Sequence, residues 1–390
     1  MNEECKSVLV RVGVCLKILN VNMSVDPVLG GGTAERTMQL CREFVELGHS
    51  CTLLTMDLGL SEELKRSIDS KGIKAVYLPC VSKRFYLPFP LLGLVARTIR
   101  NVDVVHLMGH WTIINALVFL FCLLYRKPYV VCPAGALPIF GRSRVIKNLY
   151  NAIVGKRIVQ KSNGWVAITP SEVEQFGQYG IPPGRVVVIP NGINVCDFEC
   201  KNGAGFKSKY GLKGPFILFV GRLNEIKGPD LLLEAFLSLS HKCSSFELVF
   251  IGPDGGMLNN LKRRSSEHDT TVHYLGYVGG SEKSQAYRAA DFLVIPSRQE
   301  AMSIVVLEAG AAATPVLLTD QCGFDDVEQI GGGRVVSASV EGIARGIEWM
   351  IEDGDLKIMG KRLNEYVVNN YRWSEAARKY LSLYDSVLKG

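Results

Sequence analysis

Short runs rich in Val, Ile and Leu recur along the chain, separated by longer stretches in which apolar residues return every three or four positions. The short runs are Lys17–Asn22, Cys51–Met56, Ala75–Leu78, Asp103–Leu107, Tyr129–Cys132, Trp165–Ile168 and Val186–Ile189. Most are apolar almost throughout rather than alternating, the pattern of strands covered on both faces, as in parallel sheets. Between the first two lies Thr33–Leu47, where Met38, Cys41, Phe44, Val45 and Leu47 share one helical face and Gly48 follows where a left-handed residue ends a helix. That stretch predicts one complete strand–helix–strand crossover. A second series starts with Phe216–Val220 and continues through Leu248–Ile251, Val272–Leu275, Phe292–Ile295, Val316–Leu318 and Arg334–Val336.

The two series are parted by a stretch without periodicity. After Asn191-Gly192-Ile193-Asn194 the chain turns Gly- and Lys-rich as far as Pro215. The expected fold is therefore α/β, two doubly wound Rossmann-like domains facing across a cleft, with ligands at the carboxyl ends of the strands. The expected boundaries are 1–196 for the first domain, 197–214 for a linker and 215–372 for the second domain. Residues 373–390 form a last helix with Ser374 as its N-cap. A length of 390 residues suits two domains of roughly 100–200 residues each.

Composition narrows the class. Hydrophobic residues at 47% and charged residues at 21% exclude a disordered chain. The longest apolar run, Thr112–Tyr125, falls short of the ~20 residues a spanning helix needs. The 11 cysteines are odd in number, contain no Cys-x-x-Cys pair and in several cases, such as Cys15, Cys51 and Cys132, sit inside apolar runs, so buried thiols are expected. The start, Met1-Asn-Glu-Glu-Cys-Lys6, is acidic where a secretory signal is basic, and a cytoplasmic location is expected.

The net charge of +6 is unevenly spread. From Lys83 to Lys161 there are twelve basic residues and one acid, Asp103. Within that tract the apolar run Thr112–Tyr125 is followed by Arg126 and Lys127, then Arg142, Arg144 and Lys147. An apolar face bordered by cations suits an anionic lipid surface, and peripheral attachment at the inner face of the cytoplasmic membrane is one expectation; solvated charges over a core helix are the other. Nucleic acid is not expected as a partner, because the tract lacks a binding module and interleaved stacking aromatics.

Four segments after expected strands carry candidate chemistry. Leu29-Gly30-Gly31-Gly32-Thr33 places consecutive glycines before a helix, where backbone amides can approach an anion, although a flexible turn also fits and neither dinucleotide nor P-loop spacing is present. Gly221-Arg222-Leu223-Asn224-Glu225-Ile226-Lys227-Gly228 sets two cations five positions apart, able to grip a pyrophosphate from different sides; solvated loop charges are the alternative. In Ser297–Gly310, Glu300 and Glu308 cannot share one proton or metal if the segment is helical, so Glu300 is expected in a loop and Glu308 inside the helix, each meeting a different part of one long ligand. Asp103-Val-Val-His106-Leu-Met-Gly-His110 puts two histidines at a strand end, either for a substrate oxygen or as satisfied polar residues.

In this order, the Gly-rich segment, Ile189-Pro-Asn-Gly-Ile193, Gly221-Arg-Leu-x-x-x-Lys-Gly228, Phe250-Ile-Gly-Pro-Asp254, Leu275-Gly-Tyr-Val278 and the Glu300/Glu308 pair in E-x7-E spacing resemble the family-4 glycosyltransferases, retaining sugar transferases of the GT-B fold. The resemblance implies a nucleotide-diphosphate sugar donor, a hexose-type sugar, and a glycan or lipid-linked acceptor in cell-envelope or polysaccharide assembly. It implies that Arg222 and Lys227 bind the diphosphate, helped by amides of Gly31, Gly32, Met302, Ser303 and Ile304. Glu308 would then hold the ribose, and Glu300 the hydroxyls of the transferred sugar. It also implies that the last helix crosses back to the first domain. The leaving phosphate oxygen would take the acceptor's proton on the same face, with no cofactor and no metal.

Many relatives carry a histidine two residues after the equivalent of His106, where this chain has Met108. His110 is therefore expected to serve beside Glu300, Arg222 and Lys227 in the reaction, with His106 as the other candidate and absence of the histidine function as the third reading. Asp353-Gly-Asp355 has the form of a metal-binding D-x-D but reads as a turn between helices. A nucleotide-sugar epimerase or phosphorylase of the same architecture, or a non-catalytic sugar- or lipid-binding protein, are the alternative functions.

Overall fold

A computed structural model describes residues 15–83, 85–139, 144–198, 203–268 and 270–390. The acidic start Met1–Lys6, the cations Arg84 and Arg142, and Lys201 and Asn202 of the expected linker lie outside the described residues. The chain forms two compact units, one of residues 1–189 with 374–390, the other of residues 190–373.

The first unit is built on strands β1 (Lys17–Val21), β2 (Ser50–Asp57), β3 (Lys74–Ser82), β4 (Leu87–Pro88), β5 (Val104–Met108), β6 (Tyr129–Cys132), β7 (Gly164–Ala167) and β8 (Val186–Val188). They are ordered β4-β3-β2-β1-β5-β6-β7-β8, all pairings parallel except β3–β4. The antiparallel edge β4 was not expected; at two residues, one of them Pro88, it carries no periodicity to read. The core is the fully buried inner row Leu19, Val21, Leu54, Val105 and Leu107, covered by Val118, Phe119 and Val159 from flanking helices.

The helix Trp373–Lys389 belongs to this unit through its residues 374–390 and lays Tyr380 and Tyr384 against Phe44. Ser374 lies inside that helix rather than at its cap. The buried guanidinium of Arg36 donates to the Ile189 carbonyl (2.8 Å) and the Tyr380 hydroxyl (2.9 Å), pinning the strand that leaves the unit and the helix that returns to it.

The second unit holds β9 (Phe216–Val220), β10 (Glu247–Ile251), β11 (Val272–Tyr274), β12 (Phe292–Ile295), β13 (Val316–Thr319) and β14 (Gly333–Val336), ordered β11-β10-β9-β12-β13-β14 and parallel throughout. The chain enters this unit at Pro190, ahead of the linker expected over 197–214. Ala204–Tyr210 within that stretch is a helix ended by Gly211 in the left-handed conformation, with Phe206 buried on its inner face. A helix of two turns with one buried apolar side chain is too short to show a period in the sequence.

Of the three cysteines singled out, Cys51 and Cys132 are buried but Cys15 is exposed, because it precedes β1 rather than lying in it. No helix among the described residues is long and apolar enough to cross a membrane.

Candidate functional site

Each sheet reverses its direction of growth once, between β1 and β5 in the first unit and between β9 and β12 in the second. Loops leaving the carboxyl ends of those two strands part to opposite sides and open a crevice, the place where doubly wound sheets bind ligands.

In the second unit the loop after β9 carries Arg222 and Lys227, and the loop after β12 carries Glu300. The sequence folds these loops tightly together. Asn224 caps the short turn Glu225–Lys227 through Lys227 N, and Gly228 ends it in the left-handed region (φ 67°). A Cβ on Gly228 would lie 2.1 Å from the Pro296 carbonyl oxygen, so only glycine lets the two loops meet. Arg298 N donates to the Ile226 carbonyl at 2.8 Å, and the Arg298 fork takes both Asp230 oxygens and the Glu225 carbonyl. As a result Lys227 Nζ stands 2.9 Å from Glu300 Oε1, an oxygen that also accepts from the Ser297 hydroxyl.

The loop after β13 closes the third side. Glu300 N donates to Gln321 O and Ser303 N to Cys322 O, while a Cβ on Gly323 would meet Ala301 O at 2.1 Å. Ser303 stands at the N-cap position of the helix Ile304–Ala311, and its fully buried hydroxyl has no partner among the described residues. A buried hydroxyl of this kind at a helix N-terminus suits an anion. Glu308 lies inside that helix, and Glu300 lies in the preceding loop.

The Glu308 carboxylate is nearly buried and receives the Lys283 ammonium and the Tyr287 hydroxyl, both at 2.6 Å. Sequence reasoning missed Lys283, Tyr287, Ser297 and Arg298; the helical spacing of Lys283 and Tyr287 was the available signal for the first two. Behind Arg222, the Gly252-Pro253-Asp254 segment presses so closely that a Cβ on Gly252 would lie 1.8 Å from Gly221 O.

In the first unit the segment after β1 differs from the loop expected there. Asp26 accepts from Val28 N and Leu29 N and starts a helix at Pro27, which breaks at Gly31 (φ 53°, ψ −138°) and resumes. Gly30 is needed because a Cβ would lie 2.5 Å from Ser24 O. Gly31 and Gly32 therefore sit at a break within a helix running to Glu46 rather than in a loop before one.

The two histidines separate clearly. His106 is inside β5, with Nδ1 3.1 Å from Asn20 Oδ1 and its ring 4.9 Å from that of Tyr380; burial and the Arg36 charge push its pKa down to about 3. His110 lies beyond the strand, in a turn shaped by Gly109 (φ 74°) and tied by Asn115 Nδ2 to the Met108 and Gly109 carbonyls. Burial lowers its pKa to about 4, so both rings are neutral near pH 7. Both rings are buried, His106 within β5 and His110 just beyond its carboxyl end. Among the described residues there is no group of three or more His, Cys, Asp or Glu placed to hold a metal. Asp355 is spent as the N-cap of the helix Leu356–Asn370.

Two doubly wound units, the second with cations and carboxylates gathered at its reversal point, have the architecture of the GT-B fold. Residues 205–373 match the model of glycosyl transferases group 1, and residues 30–196 match that of glycosyltransferase family 4. The chain belongs to glycosyltransferase family 4.

An uncharacterized glycosyltransferase of Methanocaldococcus jannaschii is 26% identical over 95% of this chain and 98% of its own length. A phosphatidyl-myo-inositol mannosyltransferase of Mycolicibacterium smegmatis is 30% identical, over 52% of each chain. Among solved structures, a Rickettsia africae glycosyltransferase superposes with a TM-score of 0.76 at 22% identity, covering 97% of this chain and 100% of its own. Anabaena HepE in complex with UDP and glucose gives 0.77 at 18%, covering 95% and 100%. At such identities the structural likeness speaks for the fold.

Proposed function

We propose that this protein transfers a hexose-type sugar from a nucleotide-diphosphate sugar to a glycan or lipid-linked acceptor, with retention of anomeric configuration and without a metal ion, in cell-envelope or polysaccharide assembly. The observation that carries the reading is the joining of Lys227 to Glu300 at the point where the second sheet reverses, with Arg222 on the same loop. Structural neighbours that bind UDP and glucose support a donor of this class.

In this reading Arg222 and Lys227 hold the diphosphate, with the amides of Met302, Ser303 and Ile304 and of Gly31 and Gly32 as further donors. Glu308 takes the ribose hydroxyls, and Glu300 those of the sugar. As the bond from the anomeric carbon to the phosphate oxygen breaks, negative charge grows on the diphosphate where fixed cations and amides already stand. The acceptor oxygen bonds to the anomeric carbon from the same face, and its proton passes to the departing phosphate oxygen. His110 contacts the acceptor.

The test is a thermal-shift screen of the protein against UDP-, GDP- and ADP-sugars, since a ligand that binds only the folded state raises the melting temperature by mass action. A shift with one donor, followed by transfer in EDTA to give a product of unchanged anomeric configuration, is the expected result. Release of free sugar without an acceptor product would point to a different enzyme, and no shift with any nucleotide would overturn the reading.

We also propose attachment of the first unit to an anionic membrane surface. The segment Arg144–Gln160 buries Ile158 and Val159 on one side, yet presents Val145 (80% exposed), Ile146, Leu149 and Ile153 to solvent, with Lys156 and Arg157 exposed nearby. Leu120, Leu123 and Leu124 are likewise exposed on the helix Ile113–Tyr125. Binding to vesicles of anionic lipid at low salt is expected in a flotation assay, and none to neutral vesicles; absence of binding to either removes the attachment.

A further inference from the structure

His110 is held by an arrangement that the family motifs do not include. Residues Asn151–Gly155 form a π-helical turn between the helices Arg144–Tyr150 and Lys156–Gln160. Such a turn inserts an extra residue into the helical repeat and is frequent at functional sites. Here it turns the Asn151 side chain inward, where it is buried, and leaves Ile153 outward. Gly155 makes the room: a Cβ there would stand 2.4 Å from Asn151 Oδ1 and 2.8 Å from the Tyr150 ring.

The amide in that space belongs to a chain of hydrogen bonds with one direction. The Tyr179 hydroxyl donates its single proton to the Leu137 carbonyl at 3.1 Å. It therefore accepts from Asn151 Nδ2 at 3.0 Å, which turns Asn151 Oδ1 toward His110 Nε2, also at 3.0 Å. An amide oxygen only accepts, so Nε2 must carry the proton. The Tyr179 oxygen, 3.4 Å from the same nitrogen, presents a second acceptor to it. The ring is fixed edge-on by Trp111, Tyr150 and Tyr179, with centroids at 4.5, 5.9 and 5.4 Å. The titratable neighbours are Tyr150 and Tyr179, both pushed up by burial, and Lys147, whose ammonium lies over the Trp111 ring. Nδ1 has no hydrogen-bond partner among the described residues.

We propose that Asn151 is a positioning residue that fixes His110 in the Nε2–H tautomer, leaving Nδ1 as a hydrogen-bond acceptor for a neutral hydroxyl of the acceptor substrate. The inference rests on the reading of His110 as a group that contacts the acceptor. It excludes a role for His110 as a donor, since in this tautomer Nδ1 has no proton to give to an oxyanion or a phosphate. His110 then holds a hydroxyl of the acceptor other than the attacking one by taking its hydrogen bond, which positions the acceptor while the attacking oxygen keeps its own proton for the departing phosphate oxygen.

The experiment is a long-range ¹H–¹⁵N spectrum of the full chain labelled in histidine, with the His110 signals assigned by their loss in His110→Ala. A bare Nδ1 and a protonated Nε2 between pH 6 and 8 are expected, and Asn151→Leu should give a mixture of tautomers together with a roughly 10-fold or larger fall in kcat at unchanged KM for the donor. Asn151→Asp keeps the acceptor and should restore the tautomer while moving the acid limb of the kcat profile to higher pH. A wild-type ring protonated at Nδ1, or an Asn151→Leu protein with an unchanged tautomer, overturns the proposal. Should Asn151→Leu not fold, Tyr179→Phe breaks the same chain one link further away and carries the same expectations. An Nε2–H ring whose removal in His110→Ala leaves turnover intact would instead remove His110 from the reaction.

Discussion

The reversal points of the two sheets have the same topology and opposite chemistry. In the second unit the loops after β9, β12 and β13 are charged and tied to one another by Lys227–Glu300, Arg298–Asp230 and two glycines, Gly228 and Gly323, where a Cβ would collide with a carbonyl oxygen. In the first unit the corresponding place is made of aromatic rings, carboxamides and histidines whose pKa values burial has driven to about 3 and about 4, and the buried Arg36 guanidinium beside it is bound to the Ile189 carbonyl and the Tyr380 hydroxyl. A fixed array of cations suits a polyanion whose charge grows during reaction, whereas uncharged donors and acceptors suit an alcohol. The fold thus supplies a reversal point in each unit, and side-chain charge is what sets the two apart.

The largest effect that could break this contrast comes from discharging the second crevice. Arg222→Ala with Lys227→Ala should lower kcat/KM by roughly 10⁴-fold or more, on the basis of 10²–10³ for each oriented donor removed from a developing charge. The Tm should fall as well, since Glu300 is only 8% exposed and loses the ammonium that balances its carboxylate, so turnover is compared below the variant's own melting transition. Wild-type turnover in the double variant, measured with the donor found by thermal shift, would end the assignment of the cationic loop.

Next in size is the glycine that lets two loops touch. Gly228→Ala places a methyl group 2.1 Å from Pro296 O on a residue with φ 67°. Strain of about 1–3 kcal/mol is expected, together with loss of nucleoside-diphosphate binding as Lys227 leaves Glu300. Calorimetry of the variant with and without nucleotide checks both; unchanged affinity would mean that contact between the loops is irrelevant to the site.

These glycines also show how far the sequence could be read. Arg222, Lys227, Glu300 and Glu308 stood out because charge at fixed spacing in a loop, or in an apolar helix, is conspicuous against its neighbours. Both strand series were visible because parallel strands buried on two faces are apolar without interruption. The dyad Lys283–Tyr287 and the Arg298 fork were not visible, since their meaning lies in partners 25, 21 and 68 residues away. Asn151 was the hardest to see. A π-turn has no hydrophobic period of its own, and nothing in Tyr150-Asn151-Ala152-Ile153 announces that one residue is inserted. Glycine and lysine in the Gly-rich segment and in 197–214 mark irregular backbone, yet Asp26 and Phe206 supply a cap and a buried anchor for the helices Pro27–Glu46 and Ala204–Tyr210.

The neutrality of His106 is open to a test of intermediate size. His106 has a depressed pKa, so its unfolded form binds a proton at a higher pH than its folded form does. Its contribution is therefore complete above the unfolded value of about 6.5 and is lost as pH falls toward about 3. Each unit of that window is worth about 1.4 kcal/mol. His106→Gln removes the titration, so the stability difference between wild type and variant should shift against the wild type by about that amount per pH unit between pH 6 and 4. Chemical denaturation at each pH measures it, and parallel profiles would show that His106 is protonated or solvated in the folded state.

The smallest effect distinguishes a residue that merely stabilises from one that shapes the charged crevice. Arg298 is about one-third exposed, so its pair with Asp230 should contribute about 1 kcal/mol or less to folding. Its geometry matters more than its charge, because the fork takes two Asp230 oxygens and the Glu225 carbonyl together. Lysine keeps the charge and loses the fork. Arg298→Lys should therefore leave the denaturation midpoint almost unchanged while weakening nucleoside-diphosphate binding several-fold, through looser placement of Lys227. If Arg298→Lys and Arg298→Met differ in affinity and only the lysine variant binds as wild type does, charge alone would suffice at this position, and the tie between the loops after β9 and β12 would not be what orders the site.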